Sequence, residues 1–101
     1  MNKYKVIWSP KFIRKLDNIL AYISFDLKEP MVAKNFYNKV LKCLATIEYF
    51  PEIHSKFYIN NIIHRKIIIK NYIIIYKVDS NSKQIFILNI FHSSQNYFNK
   101  L

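Results

Sequence analysis

The chain has 101 residues with no glycine and one cysteine, and 16 Lys and Arg against 6 Asp and Glu give a formal net charge of +10. This length supports one domain over residues 1–101, and a hydrophobic share of 51% can form its core without a disulfide or structural metal. No apolar run approaches the roughly 20 residues of a membrane span, and the N-terminal residues lack the apolar segment of a signal peptide. We therefore expect a cytoplasmic protein that does not cross a membrane.

The net charge of +10 indicates which class of partner the protein could bind. On a domain this small, it implies a positive potential over much of the surface. Nucleic acid, an anionic membrane or an acidic protein can each use such a surface. The alternative is that lysines only keep an apolar chain in solution. Charge alone therefore favours a polyanionic partner without identifying it.

The first elements are a strand and a helix. Tyr4–Trp8 is rich in β-branched and aromatic residues, and Ser9-Pro10 is typical of a helix start, with serine as N-cap and proline in the first turn. Glu29-Pro30 ends the helix, because the residue before proline disfavours helical backbone. The apolar residues that recur at helical spacing are Phe12, Leu16, Ile19, Leu20, Ile23 and Leu27.

A second amphipathic helix follows and ends before Pro51. Its apolar side consists of Ala33, Phe36, Tyr37, Val40, Leu41, Leu44 and Ile47. Cys43 lies among these residues, which predicts a buried structural thiol rather than a nucleophile. Because the break between the two helices is short, they should form an antiparallel hairpin.

The remaining sequence predicts three strands, at Ile62–Ile69, Tyr72–Val78 and Ile85–Phe91. Asn71 and the run 79–82 separate them, and both are suited to hairpin turns, so the strands should form an antiparallel meander. The middle strand is apolar on both faces, which is typical of a central strand that is covered on both sides. If the helices cover one face, the chain's tail or a partner must shield the other.

The predicted fold is therefore α+β, in the order β-α-α-β-β-β. Four motifs in this order resemble the RelE/ParE superfamily of bacterial toxins over nearly the whole chain. They are Tyr4-Lys5-Val6-Ile7-Trp8-Ser9-Pro10, Phe50-Pro51-Glu52-Ile53, Arg65 followed by Asn71-Tyr72 and Tyr76, and Ile90-Phe91-His92-Ser93-Ser94-Gln95-Asn96-Tyr97.

The resemblance implies a toxin of a type II toxin–antitoxin pair, without a cofactor. In such pairs an acidic, partly disordered antitoxin segment wraps the toxin, which suits a chain of this charge. Superfamily members divide into ParE-like inhibitors of DNA gyrase and RelE-like ribonucleases that cleave mRNA on the ribosome. The target is therefore gyrase or, alternatively, the ribosome and its mRNA.

A ribonuclease needs a base for the 2′-hydroxyl, cations for the charged transition state and an acid for the leaving oxygen. The candidates for these roles are His64, Lys66, His92 and Tyr97. His64 and Lys66 alternate with Arg65 and should point to the opposite face from it, where they could bind phosphate. A structural histidine is the alternative for His92, and packing is the alternative for Tyr97. The three histidines lack the spacing of metal ligands, so we expect no metal site.

A second set of residues is predicted to bind the target or the antitoxin. It consists of Lys11, Arg14 and Lys15 on the first helix, and Arg65, Lys70, Tyr72 and Tyr76 on the strands. The alternative for the helical cluster is a solvated face. For Arg65, it is a salt bridge to a helix carboxylate or to the antitoxin.

Two positions favour the ParE-like branch. RelE-like nucleases carry an arginine directly after the strand tyrosine and another after the residue that ends the last strand. Here Ile73 and Ser93 stand at those positions, so two bidentate phosphate ligands are missing. The sequence therefore favours a gyrase-binding toxin over an enzyme. A RelE-like nuclease is the first alternative, and an inactive basic binding module is the second.

Overall fold

A computed structural model describes residues 3–94 of the chain. The elements in chain order are β1 (Lys5–Trp8), α1 (Pro10–Ala21), a π-helical turn (Tyr22–Asp26), α2 (Pro30–Tyr49), β2 (Lys56–Ile59), β3 (Ile62–Ile69), β4 (Tyr72–Asp79) and β5 (Gln84–His92). Neither helix combines the length and apolarity needed to cross a membrane. The predicted α+β order is confirmed, with one strand added.

The predicted helix start at Ser9 is confirmed by its capping geometry. Its hydroxyl accepts a hydrogen bond from the backbone N–H of Phe12 at 3.1 Å, and Pro10 occupies the first turn. The α-helical part ends at Ala21, and the chain continues as a single π-helical turn up to Asp26. Lys28 then adopts left-handed backbone with φ of 54° before α2 begins.

The five strands form one sheet in the order β1-β5-β4-β3-β2. Strands β2 to β5 pair antiparallel, which confirms the predicted meander, and β1 pairs parallel with β5. After β1 ends, the Ser9 hydroxyl donates to the Leu88 carbonyl at 3.0 Å, so α1 starts beside the second half of β5. The first turn of α1 therefore lies at the edge of the sheet, within reach of both of its faces.

Both helices pack on one face of the sheet, which we call the helix face. Phe12, Phe36 and Val40 are buried there against strand residues that include Ile74 and Tyr76. Cys43 packs at the edge of this core and is half-buried, and its burial raises the pKa of the thiol against a smaller opposing effect of Lys42. The predicted contact with the apolar side of α2 is present, but the thiol is half-buried rather than buried as predicted.

The opposite face, which we call the open face, carries a smaller apolar cluster. Ile73, Ile75 and Phe91 are buried in it, with Phe57 and Leu88 packed alongside. Strand β4 is thus central and buried on both sides, as its apolar sequence predicts. Within residues 3–94, the open face is shielded at its middle by its own side chains rather than by a helix.

The prediction missed β2, which lies at the sheet edge and pairs with β3. Asn60 and Asn61 connect the two strands, and both have positive φ, at 50° and 66°. Consecutive left-handed residues are the requirement of the tight hairpin turn that matches the twist of a sheet. The paired asparagines between Ile59 and Ile62 were the available sequence signal for this hairpin.

Candidate functional site

Three basic side chains lie on the open face. His64 pairs with Phe57 of β2, and Lys66 pairs with Ile75 of β4, which belongs to the open-face cluster. Lys77 follows Ile75 by two residues on β4 and has the same orientation. His64 and Lys66 thus share the face opposite to Arg65, as their alternation along the strand predicts.

The local geometry of His64 fixes its tautomer. Its Nδ1 lies 3.0 Å from the carbonyl oxygen of Ile62, which can only accept, so Nδ1 carries a proton. In the neutral ring, Nε2 then holds the lone pair and can act as a base. The ring packs against Phe57 at a centroid distance of 5.8 Å, and the Lys66 ammonium lies 6.0 Å from the centre of the same Phe57 ring.

His92 lies on the helix face, at the far end of the sheet. It pairs with Tyr72, and the two rings meet edge to face at 5.4 Å, while Tyr72 also packs on Phe36 of α2. Two adjoining clefts of about 300 and 380 Å³ open here, between the strand ends and the π-helical turn. Tyr22, Tyr72 and His92 line both clefts, and Lys70 lines the larger one. Burial, and secondarily Tyr22, raises the pKa of Tyr72.

The tautomer of His92 is opposite to that of His64. The Ser94 backbone N–H donates to His92 Nδ1 at 3.1 Å, and the Ser94 hydroxyl lies 2.8 Å from the same nitrogen. Because a backbone N–H can only donate, Nδ1 is the acceptor, and the proton of the neutral ring is on Nε2. This nitrogen can donate to a ligand.

The two histidines do not form one site. Arg65, the neighbour of His64, pairs with Tyr76, and His92 pairs with Tyr72, so at least about 14 Å of β4 separates the two histidines at ~3.4 Å per residue. They also lie on different faces of the sheet. His64 and Lys66 are therefore together, and His92 is apart from them. Tyr97 lies outside the described residues.

Arg65 and Tyr76 hold the segment between α2 and β2 against the sheet. An Arg65 nitrogen donates to the carbonyls of Glu52 at 3.2 Å and His54 at 2.8 Å, and the Tyr76 hydroxyl donates to the Pro51 carbonyl at 2.8 Å. A second Arg65 nitrogen lies 4.0 Å from the exposed Glu52 carboxylate. Tyr76 is fully buried and presents no surface to a partner in this conformation.

Burial also changes the acid–base properties of this segment. It raises the pKa of Tyr76 to about 12, against the smaller lowering effect of Arg65. Burial lowers the pKa of His54, whose ring stands edge-on to Tyr76 at 6.2 Å. Both shifts favour neutral side chains, as expected of structural groups.

The basic residues of α1 lie where the helix meets the open face. The Lys15 ammonium is 5.4 Å from the centre of the Phe91 ring, which belongs to the open-face cluster. Lys11, one turn earlier, lines a pocket on the same face, and Arg14 is exposed. This cluster therefore extends the positive charge of the open face.

Sequence reasoning missed three polar residues of that pocket, Asn60, Lys77 and Asn89. Asn89 is buried in β5, next to an irregularity where Leu88 has no partner in the pairing with β4. The sequence signal was one amide in a run that is otherwise apolar from Ile85 to Phe91. Its pairing with Ile75 directs it to the open face.

Comparisons with known proteins identify the family and the fold. A family model described as the ParE toxin of the type II toxin–antitoxin system parDE matches residues 6–97. In a crystal structure of the toxin–antitoxin complex RelBE2 from Mycobacterium tuberculosis, one chain superposes with a TM-score of 0.64 at 14% identity, over 89% of this chain and 98% of that chain. At this identity the likeness shows the fold alone, and a comparison with curated proteins gave no significant match. Because the family model spans nearly the whole sequence, the chain belongs to the ParE toxin family of type II toxin–antitoxin systems.

Proposed function

We propose that this toxin arrests growth by binding DNA gyrase in the cytoplasm, and that an acidic antitoxin neutralises it. Family membership supports the toxin role, and the choice of gyrase rests on the character of the open face. A toxin that acts by binding needs an exposed complementary surface, whereas a ribonuclease needs acid, base and cations around one phosphate.

The observation that carries the proposal is the environment of Ile73. Where RelE-like nucleases carry an arginine, this side chain is buried with Ile75 and Phe91. The middle of the open face is therefore apolar at the position where a guanidinium would stabilise the transition state. Ser93, at the second arginine position, donates its backbone N–H to the Asn71 carbonyl at 2.7 Å and supplies no charge.

Arg14 and Lys15 form the surface we assign to the target, because they lie on α1 and adjoin the open face, whereas Lys11 lines the neighbouring pocket. Lys70 and Tyr72, beside His92 in the clefts at the sheet end, are assigned to the antitoxin. An antitoxin segment with acidic and apolar residues suits clefts with aromatic walls and a nearby lysine. The RelBE2 structure, which holds a toxin with its antitoxin, supports a complex of this general kind.

The experiment is a supercoiling assay with purified toxin and gyrase. We expect the toxin to inhibit supercoiling and to accumulate cleaved DNA–gyrase complexes. The matched control is toxin mixed with its cognate antitoxin, which should restore activity. Normal supercoiling at saturating toxin would overturn the proposal.

A RelE-like ribonuclease is the second candidate, and the pairing of His64 with Lys66 on the open face favours it. His64 Nε2 could take a proton from a 2′-hydroxyl, and Lys66 could stabilise the charged phosphate. Induced toxin should then cleave mRNA in the ribosomal A site, and His64→Ala should abolish cleavage. If the induced toxin stops growth while mRNA remains intact, this activity is excluded. If induction leaves growth normal, the chain is instead an inactive basic binding module.

A further inference from the structure

A pocket of about 360 Å³ lies on the open face, between the start of α1, the β2–β3 turn and the adjoining strands. Ile59, Ile62 and Leu88 give it apolar walls. Its polar lining consists of Lys11, Asn60, His64, Lys77 and Asn89. Within residues 3–94, no acidic side chain lines it. The pocket thus combines apolar walls with a positive charge.

Asn89 is the feature that points to a ligand. The residue is 1% exposed, and its Nδ2 has no hydrogen-bond partner among the described residues. The amide orientation is fixed, because Oδ1 accepts a hydrogen bond from the backbone N–H of Ile90 at 2.9 Å. A buried N–H without a partner is unfavourable and is rare in native proteins. An acceptor brought by a ligand would satisfy it.

The charges around the pocket select an anionic acceptor. Lys77 is half-buried at the pocket wall, and Lys11 stands on the opposite side, at the start of α1. Hydrogen bonds to an ionised acceptor are shorter and stronger than neutral ones. A carboxylate has two oxygens, so one can accept from Asn89 Nδ2 while the other faces a lysine.

We propose that this pocket binds the carboxylate of an acidic side chain presented by the antitoxin, an inference that rests on the proposed function. The walls formed by Ile59, Ile62 and Leu88 suit the methylene groups of a glutamate. A phosphodiester carries the same single charge but is joined to a sugar on each side, so it brings no comparable methylene stem to the apolar walls. The observations therefore favour an acidic protein segment over nucleic acid at this position.

The test is a titration of the ¹⁵N-labelled full-length toxin, followed by NMR. The probes are a blocked pentapeptide with a central glutamate, the same peptide with glutamine, and a single-stranded RNA hexanucleotide. We expect the glutamate peptide to shift the side-chain amide signals of Asn89 and the glutamine peptide to shift them far less. Asn89→Asp identifies these signals by removing them, and it keeps an oxygen for the Ile90 N–H.

Variants then test the charge requirement. Lys77→Gln should raise the Kd of the glutamate peptide about tenfold, the change expected for losing one charged hydrogen-bonding partner. The matched control is Lys39→Gln, which removes the same charge from an exposed position on α2 and should leave the Kd within about twofold. If Asn89→Asp fails to fold, the Lys77 and Lys39 variants still test whether binding of the glutamate peptide requires the charge at this pocket.

Two results would overturn the inference. One is an Asn89 signal that responds to neither peptide, and the other is a signal that responds to RNA but not to the glutamate peptide. Neither result bears on gyrase inhibition, which is measured with the toxin alone. Conversely, a toxin that binds the glutamate peptide but does not inhibit gyrase would refute the proposed function only.

Discussion

At the scale of single residues, Arg65 and Tyr76 are internal anchors. The sequence suggested a partner contact for both, with a salt bridge to a helix carboxylate as an alternative for Arg65, and in the structure their polar groups bind backbone carbonyls of the segment that follows α2. The sequence could not reveal this role, because those carbonyls lie 11 to 25 residues away in the chain. His64 and Lys66 could be placed correctly, since alternation along a strand is a local property.

Tyr76→Phe should lower the free energy of unfolding by about 1–2 kcal/mol, because the Pro51 carbonyl loses its donor in a partly buried site. Urea denaturation monitored by circular dichroism measures the change. The control is Tyr58→Phe, at an exposed position, which should stay within about 0.5 kcal/mol of the native chain. Equal effects of the two changes would refute the anchoring role of the Tyr76 hydroxyl.

The raised pKa of Tyr76 predicts that the stability of the fold depends on pH in the alkaline range. The folded-state pKa of Tyr76 is about 12, against 10.0 in the unfolded chain, so folding favours the protonated hydroxyl. Its contribution to stability is complete below pH 10 and is lost as the pH rises toward 12. The difference in unfolding free energy between the native chain and Tyr76→Phe should therefore shrink over this interval. A constant or growing difference would contradict the raised pKa.

At the scale of elements, the chain makes its turns without glycine. Among residues 3–94, left-handed backbone occurs at Lys28, Asn60, Asn61, Lys70 and Lys83. Asparagine tolerates this region, whereas for lysine the contact of its Cβ atom with the backbone makes it unfavourable. The loop between the helices and two of the strand connections therefore contain positions where the side chain opposes the backbone.

Lys28→Gly should raise the free energy of unfolding by about 0.5–1 kcal/mol, because glycine adopts the left-handed region without that cost. The matched control is Lys34→Gly, at an exposed position inside α2, which should lower it by about 1 kcal/mol. Urea denaturation of both variants measures these opposite changes in the free energy of unfolding. If Lys28→Gly lowers the free energy of unfolding, contacts of the lysine side chain stabilise the fold by more than its left-handed backbone destabilises it.

Helical periodicity predicted both helices, and runs of β-branched and aromatic residues predicted four of the five strands. Strand β2 has only four residues and is half-buried at an edge, so its apolar alternation is too short to identify alone. The parallel pairing of β1 with β5 joins residues about 80 positions apart, and no local pattern encodes it. The same pairing brings Lys11 of α1 to the pocket that contains Asn89, so sequence alone could not predict that site.

At the scale of the whole molecule, the sheet separates the two regions to which we assign partners. The open face carries His64, Lys66 and the Asn89 pocket, while the clefts at Tyr72 and His92 open on the helix side. A net charge of +10 attracts acidic partners to either region. We therefore expect inhibition of gyrase to depend on where the positive charges lie on the surface rather than on the net charge.

Replacing Arg14 and Lys15 together by glutamine should raise the toxin concentration for half-inhibition of gyrase about tenfold, because two charges leave the proposed contact surface. The control removes the same charge from α2, by replacing Lys39 and Lys42, which are both exposed. We expect this pair to change inhibition less than about twofold at physiological salt. Equal losses for both pairs would indicate attraction by net charge alone.

The most direct test of the account follows two quantities in one bacterial culture after the toxin is induced. Plasmid supercoiling reports gyrase activity, and primer extension on abundant messages reports cleavage on the ribosome. We predict that growth stops while plasmids lose negative supercoils and messages remain intact. Cleaved messages with normal supercoiling would contradict the account and would favour the ribonuclease alternative.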